Sequence, residues 1–143
     1  MRTLHVGLRV DDLDASIGFY RHLGYQVVGR VPETEIGSLA MLQLPDDPFV
    51  TLELVHRPAG GPVTSGGLNH LVVQVDDLPA TLAALDAQGI TAGLPSSPDG
   101  TDTFLVARLT DPSGHEIELV QWPPGHSVGM TSADFEEAPP SEG

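Results

Sequence analysis

His5-Val6-Gly7-Leu8-Arg9-Val10-Asp11-Asp12-Leu13 and His70-Leu71-Val72-Val73-Gln74-Val75-Asp76-Asp77-Leu78 are two versions of one stretch, 65 residues apart. In the first, Leu4, Val6, Leu8 and Val10 point one way and His5, Gly7 and Arg9 the other, the alternation of a strand. The acidic pair then ends the strand and offers a carboxylate to cap a helix. The same 65-residue offset holds further out. Gly24 matches Gly89, Leu44 matches Leu109, Asp46 matches Asp111, and Glu53-Leu54-Val55 matches Glu118-Leu119-Val120. A shared hydrophobic period would align apolar positions, but it would not align His with His and Glu with Glu. The chain carries an internal duplication.

The elements around these landmarks repeat in order. Residues 3–10 read as a strand, followed by a helix capped by Asp12 or Asp14 that carries Ile17, Phe19, Tyr20 and Leu23 and stops at Gly24. Strands are expected near Tyr25–Val31, Ser38–Leu44 and Val50–Val55. The second copy gives a strand at Leu68–Val75, and a helix with Asp77 as its cap and Pro79 in its first turn, ending at Gly89. Strands follow near Ile90–Gly93, Thr103–Leu109 and Glu116–Gln121. The fold class is therefore α+β, with two tandem βαβββ modules in a single domain, 1–122. Module one spans 1–58, a Pro- and Gly-rich linker 59–67, and module two 68–122. Residues 123–143, rich in Pro, Gly and acids, are expected to begin as an ordered arm and end as a disordered tail.

Composition removes several functional classes. The chain has 143 residues, 20 acidic against 6 basic, and a formal charge of −14. Every basic residue is Arg; there is no Lys. Such a surface repels phosphate backbones and anionic membranes. No Cys is present, so a thiolate metal site, a Cys nucleophile and a disulfide scaffold are excluded. No apolar run reaches the roughly 20 residues of a membrane span, and the N-terminus lacks the pattern of a secretory signal. The expectation is a soluble cytoplasmic protein, with no nucleic-acid or membrane partner.

The duplication brings two His and two Glu into matched positions: His5 with Glu53, and His70 with Glu118. Each Glu stands between apolar neighbours, where an unpartnered ionised carboxylate costs several kcal/mol. One such His is ordinarily a hydrogen-bonded core residue, and one such Glu a solvent-facing one. Four in duplicated register call for a common partner, and a divalent cation supplies it. Two imidazoles and two carboxylates without thiolate suit Ni²⁺, Co²⁺, Zn²⁺, Mn²⁺ or Fe²⁺. The other His carry weaker signals: His22 on a helix face, His56 lining the cavity beside Glu53, His115 in a turn, and His126 in the tail.

These residues resemble the vicinal oxygen chelate superfamily, and within it glyoxalase I. The carrying segments are residues 4–13 with Ser16-Ile17-Gly18-Phe19-Tyr20, Leu52-Glu53-Leu54-Val55-His56, Asn69-His70 through Asp76, and Asp111-Pro112-Ser113-Gly114-His115-Glu116-Ile117-Glu118-Leu119. The resemblance implies two modules forming a cupped, barrel-like mixed sheet around one divalent metal per site. It also implies a homodimer whose sites lie at the interface, with His5 and Glu53 from one chain and His70 and Glu118 from the other. Ni²⁺ or Co²⁺ is favoured, Zn²⁺ is allowed, and Fe²⁺ or Mn²⁺ would accompany a dioxygenase. Extradiol dioxygenases and fosfomycin-resistance transferases typically use only the equivalents of His5, His70 and Glu118. The additional Glu53 points to glyoxalase I.

That resemblance implies conversion of the hemithioacetal of a 2-oxoaldehyde and a thiol into a 2-hydroxy thioester, with Glu118 as base and Glu53 as its partner. Arg9 stands where the family has an arginine that contacts a glutathione carboxylate. The sequence departs from the pattern at Arg57, which replaces an Asn. It departs again in the acidic loop Ser96–Asp102, where the family's lysines are absent. Arg9, Arg57 and His56 are the candidate substrate contacts, and the thiol is left open between glutathione and another small thiol. The alternatives are a different metal-dependent member, such as an epimerase or extradiol-type dioxygenase, and a non-enzymatic drug- or metabolite-binding resistance protein.

Overall fold

The computed structural model describes residues 1–64 and 66–135. In chain order it contains β1 (Val6–Arg9), α1 (Leu13–His22), β2 (Gln26–Val31), β3 (Ser38–Gln43), β4 (Leu52–His56), β5 (Leu71–Gln74), α2 (Leu78–Ala87), β6 (Leu105–Thr110) and β7 (Glu116–Gln121). Short 3₁₀ turns occupy Pro58–Gly60 and Ser132–Phe135. No helix of the described residues is long and apolar enough to cross a membrane.

Both helices begin as their sequences direct. Asp12 accepts a hydrogen bond from the Ala15 amide and Asp77 one from the Ala80 amide, each at 3.0 Å. These bonds satisfy donors that the first turn leaves free. Gly24 and Gly89 follow the helix ends at φ +104° and +79°, a conformation that disfavours any side chain.

The sheets carry the duplication in their register. In the four-stranded sheet, order β1-β4-β3-β2, β1 runs parallel to β4 with Gly7 opposite Glu53. In the three-stranded sheet, order β5-β7-β6, β5 runs parallel to β7 with Val72 opposite Glu118. Each pair is displaced by the same 65 residues. The two sheets are not closed into the barrel-like sheet expected from the sequence. The strand anticipated at Ile90–Gly93 does not form. Its place is taken by a Gly93 amide bond to the Arg108 carbonyl and an isolated Ser96–Val106 bridge on the edge of β6. Gly93 and Pro95 interrupt regular pairing there, since Gly weakens a strand and Pro removes a ladder donor.

One core serves both modules. Leu8, Ile17, Leu42 and Leu54 pack in the same cluster as Leu78, Leu85, Ile117 and Leu119. A buried polar hub ties the modules together. The Tyr20 hydroxyl donates to Asp111 at 2.7 Å, and the other Asp111 oxygen accepts from the Ser113 and His115 amides. The His115 imidazole donates from Nε2 to the Arg9 carbonyl at 2.7 Å, which leaves Nδ1 without a partner among the described residues. Burial, with Asp111 beside it, pushes the Tyr20 phenol well above its ordinary value.

Past β7 the arm is held by stacking. Trp122 lies on Phe104 with centroids 5.2 Å apart, and His126 lies on Trp122 at 4.3 Å. Nε2 of His126 is 2.6 Å from Asp134. Residues 136–143, the end of the stretch expected to be disordered, lie outside the described residues.

Candidate metal centre

Strand alternation sorts each sheet into a core face and an open face. In the first sheet, Leu52 and Leu54 turn to the core, while Glu53 and Val55 share the other face with His5, Gly7 and Arg9. In the second, Ile117 and Leu119 turn inward, and Glu118 and Val120 share the open face with His70, Val72 and Arg108. Each open face therefore carries one His beside one Glu.

The contacts are direct. His5 Nε2 lies 2.9 Å from Glu53 Oε2, and His70 Nε2 lies 3.5 Å from Glu118 Oε2. Both His precede their strands by one residue instead of sitting mid-strand as the alternation suggested. The four were also expected to be buried. In the single chain only Glu53 is; the side chains of His5, His70 and Glu118 keep 35%, 32% and 17% of their exposure. The reason is that nothing among the described residues covers the two open faces fully. Val31 and Val72, on the same faces, are 40% and 51% exposed. Among the described residues no three ligating side chains gather at one point. The chain thus presents two separate His–Glu pairs, one on each open face.

These donors fit a divalent cation. In each pair an imidazole nitrogen and a carboxylate oxygen turn toward one another from adjoining parallel strands, the donor types that borderline divalent metals take.

The proposed substrate contacts scatter. Arg9 lies on the His5 and Glu53 face, but its guanidinium donates to the Gly61 carbonyl at 3.0 Å and rests on Gly60, where a Cβ would be 2.6 Å from Nη2. His56 pairs with Ser38 and points away from the face of Glu53. With Arg57 it lines a shallow pocket between Pro32–Ser38 and Pro58. In the acidic loop, Asp99 is committed locally. Its hydrogen bonds from Thr101 and Ser97 hold its carboxyl below the usual range. Sequence reasoning passed over Arg108. It faces Glu118 directly across the β6–β7 pair, a position that counting outward from the Asp111–Gly114 turn would have given.

Comparisons with known proteins agree with this architecture. The sequence model of the Glyoxalase/Bleomycin resistance protein/Dioxygenase superfamily matches residues 2–119. A protein of Vibrio cholerae named "Probable lactoylglutathione lyase" is 32% identical over 130 residues, covering 88% of this chain and 94% of that one. The "Lactoylglutathione lyase" of Haemophilus influenzae is 31% identical, covering 85% and 93%. Among solved structures, the trypanothione-dependent glyoxalase I of Leishmania major superposes with a TM-score of 0.67 at 27% identity, covering 85% of this chain and 86% of that one. The chain belongs to the Glyoxalase/Bleomycin resistance protein/Dioxygenase superfamily.

Proposed function

We propose that this chain is a metal-dependent, glyoxalase-I-type lyase that converts the hemithioacetal of a 2-oxoaldehyde into a 2-hydroxy thioester. The observation that carries this reading is the repeated His–Glu pair on the open face of each module. The relatives named lactoylglutathione lyase support it. Two chains would pair so that His5 and Glu53 of one meet His70 and Glu118 of the other. That arrangement covers the exposed faces and joins two half-sites into one four-ligand centre.

His5, Glu53, His70 and Glu118 would hold a divalent ion, with Ni²⁺ or Co²⁺ favoured. Such an ion, when bound, lowers the energy of the oxyanion that develops on the substrate. The remaining work falls to the carboxylates. Glu118 takes the proton from C1 of the hemithioacetal, and the electron pair forms the C1–C2 double bond as the carbonyl oxygen becomes an oxyanion. Glu118 then returns the proton to C2. Glu53 carries the C1 hydroxyl proton to the oxygen on C2, leaving C1 as the thioester carbonyl. Nothing is oxidised overall and no atoms are lost.

The test is metal analysis of the purified protein, followed by methylglyoxal turnover with a panel of thiols. About one divalent ion per chain and thioester formation with at least one thiol are expected. Stoichiometric metal with oxygen uptake in place of thioester formation would favour a dioxygenase. Absence of metal binding would favour a non-enzymatic binding protein.

A further inference from the structure

The two half-sites differ in one cation. Arg108 stands opposite Glu118 in register, on the same open face as His70. Its Nη2 lies 3.5 Å from Glu118 Oε2, the same separation that His70 Nε2 has from that oxygen. The residue opposite Glu53 on β3, in the place Arg108 takes opposite Glu118, is Met41. The first half-site therefore has no equivalent charge beside Glu53.

Arg108 is not accounted for as a structural ion pair. Charge-assisted bonds of satisfied guanidinium groups run at about 2.7–2.9 Å. Its contacts with Glu118 and Glu116 are 3.5 and 4.0 Å, and its side chain is 56% exposed. Exposed pairs of this kind contribute little to stability. The other arginine on an open face beside a His–Glu pair, Arg9, is engaged by the Gly61 carbonyl. In a chain with 6 basic and 20 acidic residues, an exposed guanidinium held only by long contacts lies against Glu118.

We infer that Arg108 is a specificity-determining residue that binds a carboxylate on the aldehyde half of the substrate. This rests on the proposed lyase reading and sharpens its substrate class. The preferred 2-oxoaldehyde carries an anionic group a few bonds from its two chelating oxygens, as 4,5-dioxopentanoate does and methylglyoxal does not. The planar fork of arginine matches a carboxylate through two parallel hydrogen bonds.

The experiment compares two thiol-free oxygen chelators, acetohydroxamate and the monohydroxamate of succinate, by calorimetric titration of the Ni²⁺-loaded protein. The wild type is expected to bind the succinate compound about tenfold more tightly. In Arg108→Met that preference falls to about one, and in Arg108→Lys, a point charge without the fork, it is intermediate. Equal binding of both compounds by the wild type, or a preference that survives in Arg108→Met, overturns the role of Arg108 and leaves the lyase reading intact. If neither compound binds, the metal-dependent reading itself fails and this inference with it. Turnover provides a second arm, in which the ratio of kcat/KM for 4,5-dioxopentanoate over methylglyoxal should exceed one and collapse in Arg108→Met.

Discussion

The Tyr20 hydroxyl donates to Asp111 across 91 residues of sequence, and this bond joins the helix of the first module to a turn of the second. Both groups are buried. Tyr20→Phe keeps the ring and its edge-to-face contacts with Phe19 and Tyr25 but strands one buried carboxylate oxygen. The expected cost is about 2–3 kcal/mol, read as a lower urea midpoint at unchanged slope. A midpoint equal to that of the wild type would remove the hub from the account of stability.

The two tyrosines also set an alkaline limit. Burial pushes the Tyr25 phenol up to about 12, with Asp47 adding to the effect, and Tyr20 is raised further. In the unfolded chain both ionise near 10. Above that pH the unfolded state releases protons that the folded state keeps, so stability falls as pH rises. The slope should approach about 2–3 kcal/mol per pH unit between about 10 and 12. Denaturant melts across this range, with tyrosinate absorbance following the unfolding transition, check it.

Gly37 has φ +122°, and a Cβ there would run into the backbone carbonyl of His56. Gly37→Ala should therefore destabilise the β3–β4 edge by about 1–3 kcal/mol. Gly61 also has positive φ but meets no atom, so Gly61→Ala should cost less. Thermal melts of the two variants side by side give the comparison.

If the His–Glu pairs are metal half-sites, His5→Ala and His70→Ala should each weaken Ni²⁺ binding by about tenfold or more. His22→Ala, at the exposed end of α1, should leave it unchanged. Equilibrium dialysis gives the numbers, and equal affinity in all three variants would contradict the assignment.

Much of this molecule was legible from one chain. The Asp12 and Asp77 caps and the glycine helix stops follow local rules that the duplication states twice. The His–Glu pairs were legible for the same reason. Long-range relations were not. Nothing near Tyr20 announces Asp111, and His115 read as a turn residue until its bond to the Arg9 carbonyl placed it between the modules. The failed strand at Ile90–Gly93 shows a second limit. Its copy in module one lies in the six-residue strand β2, while Gly93 and Pro95 leave only scattered bonds to β6. His56 failed on parity, one residue out of phase with Glu53.

The central claim, that each site is built from the half-sites of two chains, has a direct test. One variant carries His5→Ala and Glu53→Gln, the other His70→Ala and Glu118→Gln. Each alone should bind no metal at the site. Co-expressed, half of the dimers are mixed, and each mixed dimer holds one complete site of two, so about a quarter of the wild-type metal content should return. If the mixture binds no more metal than the separate variants, the sites are not shared between chains, and the account is wrong.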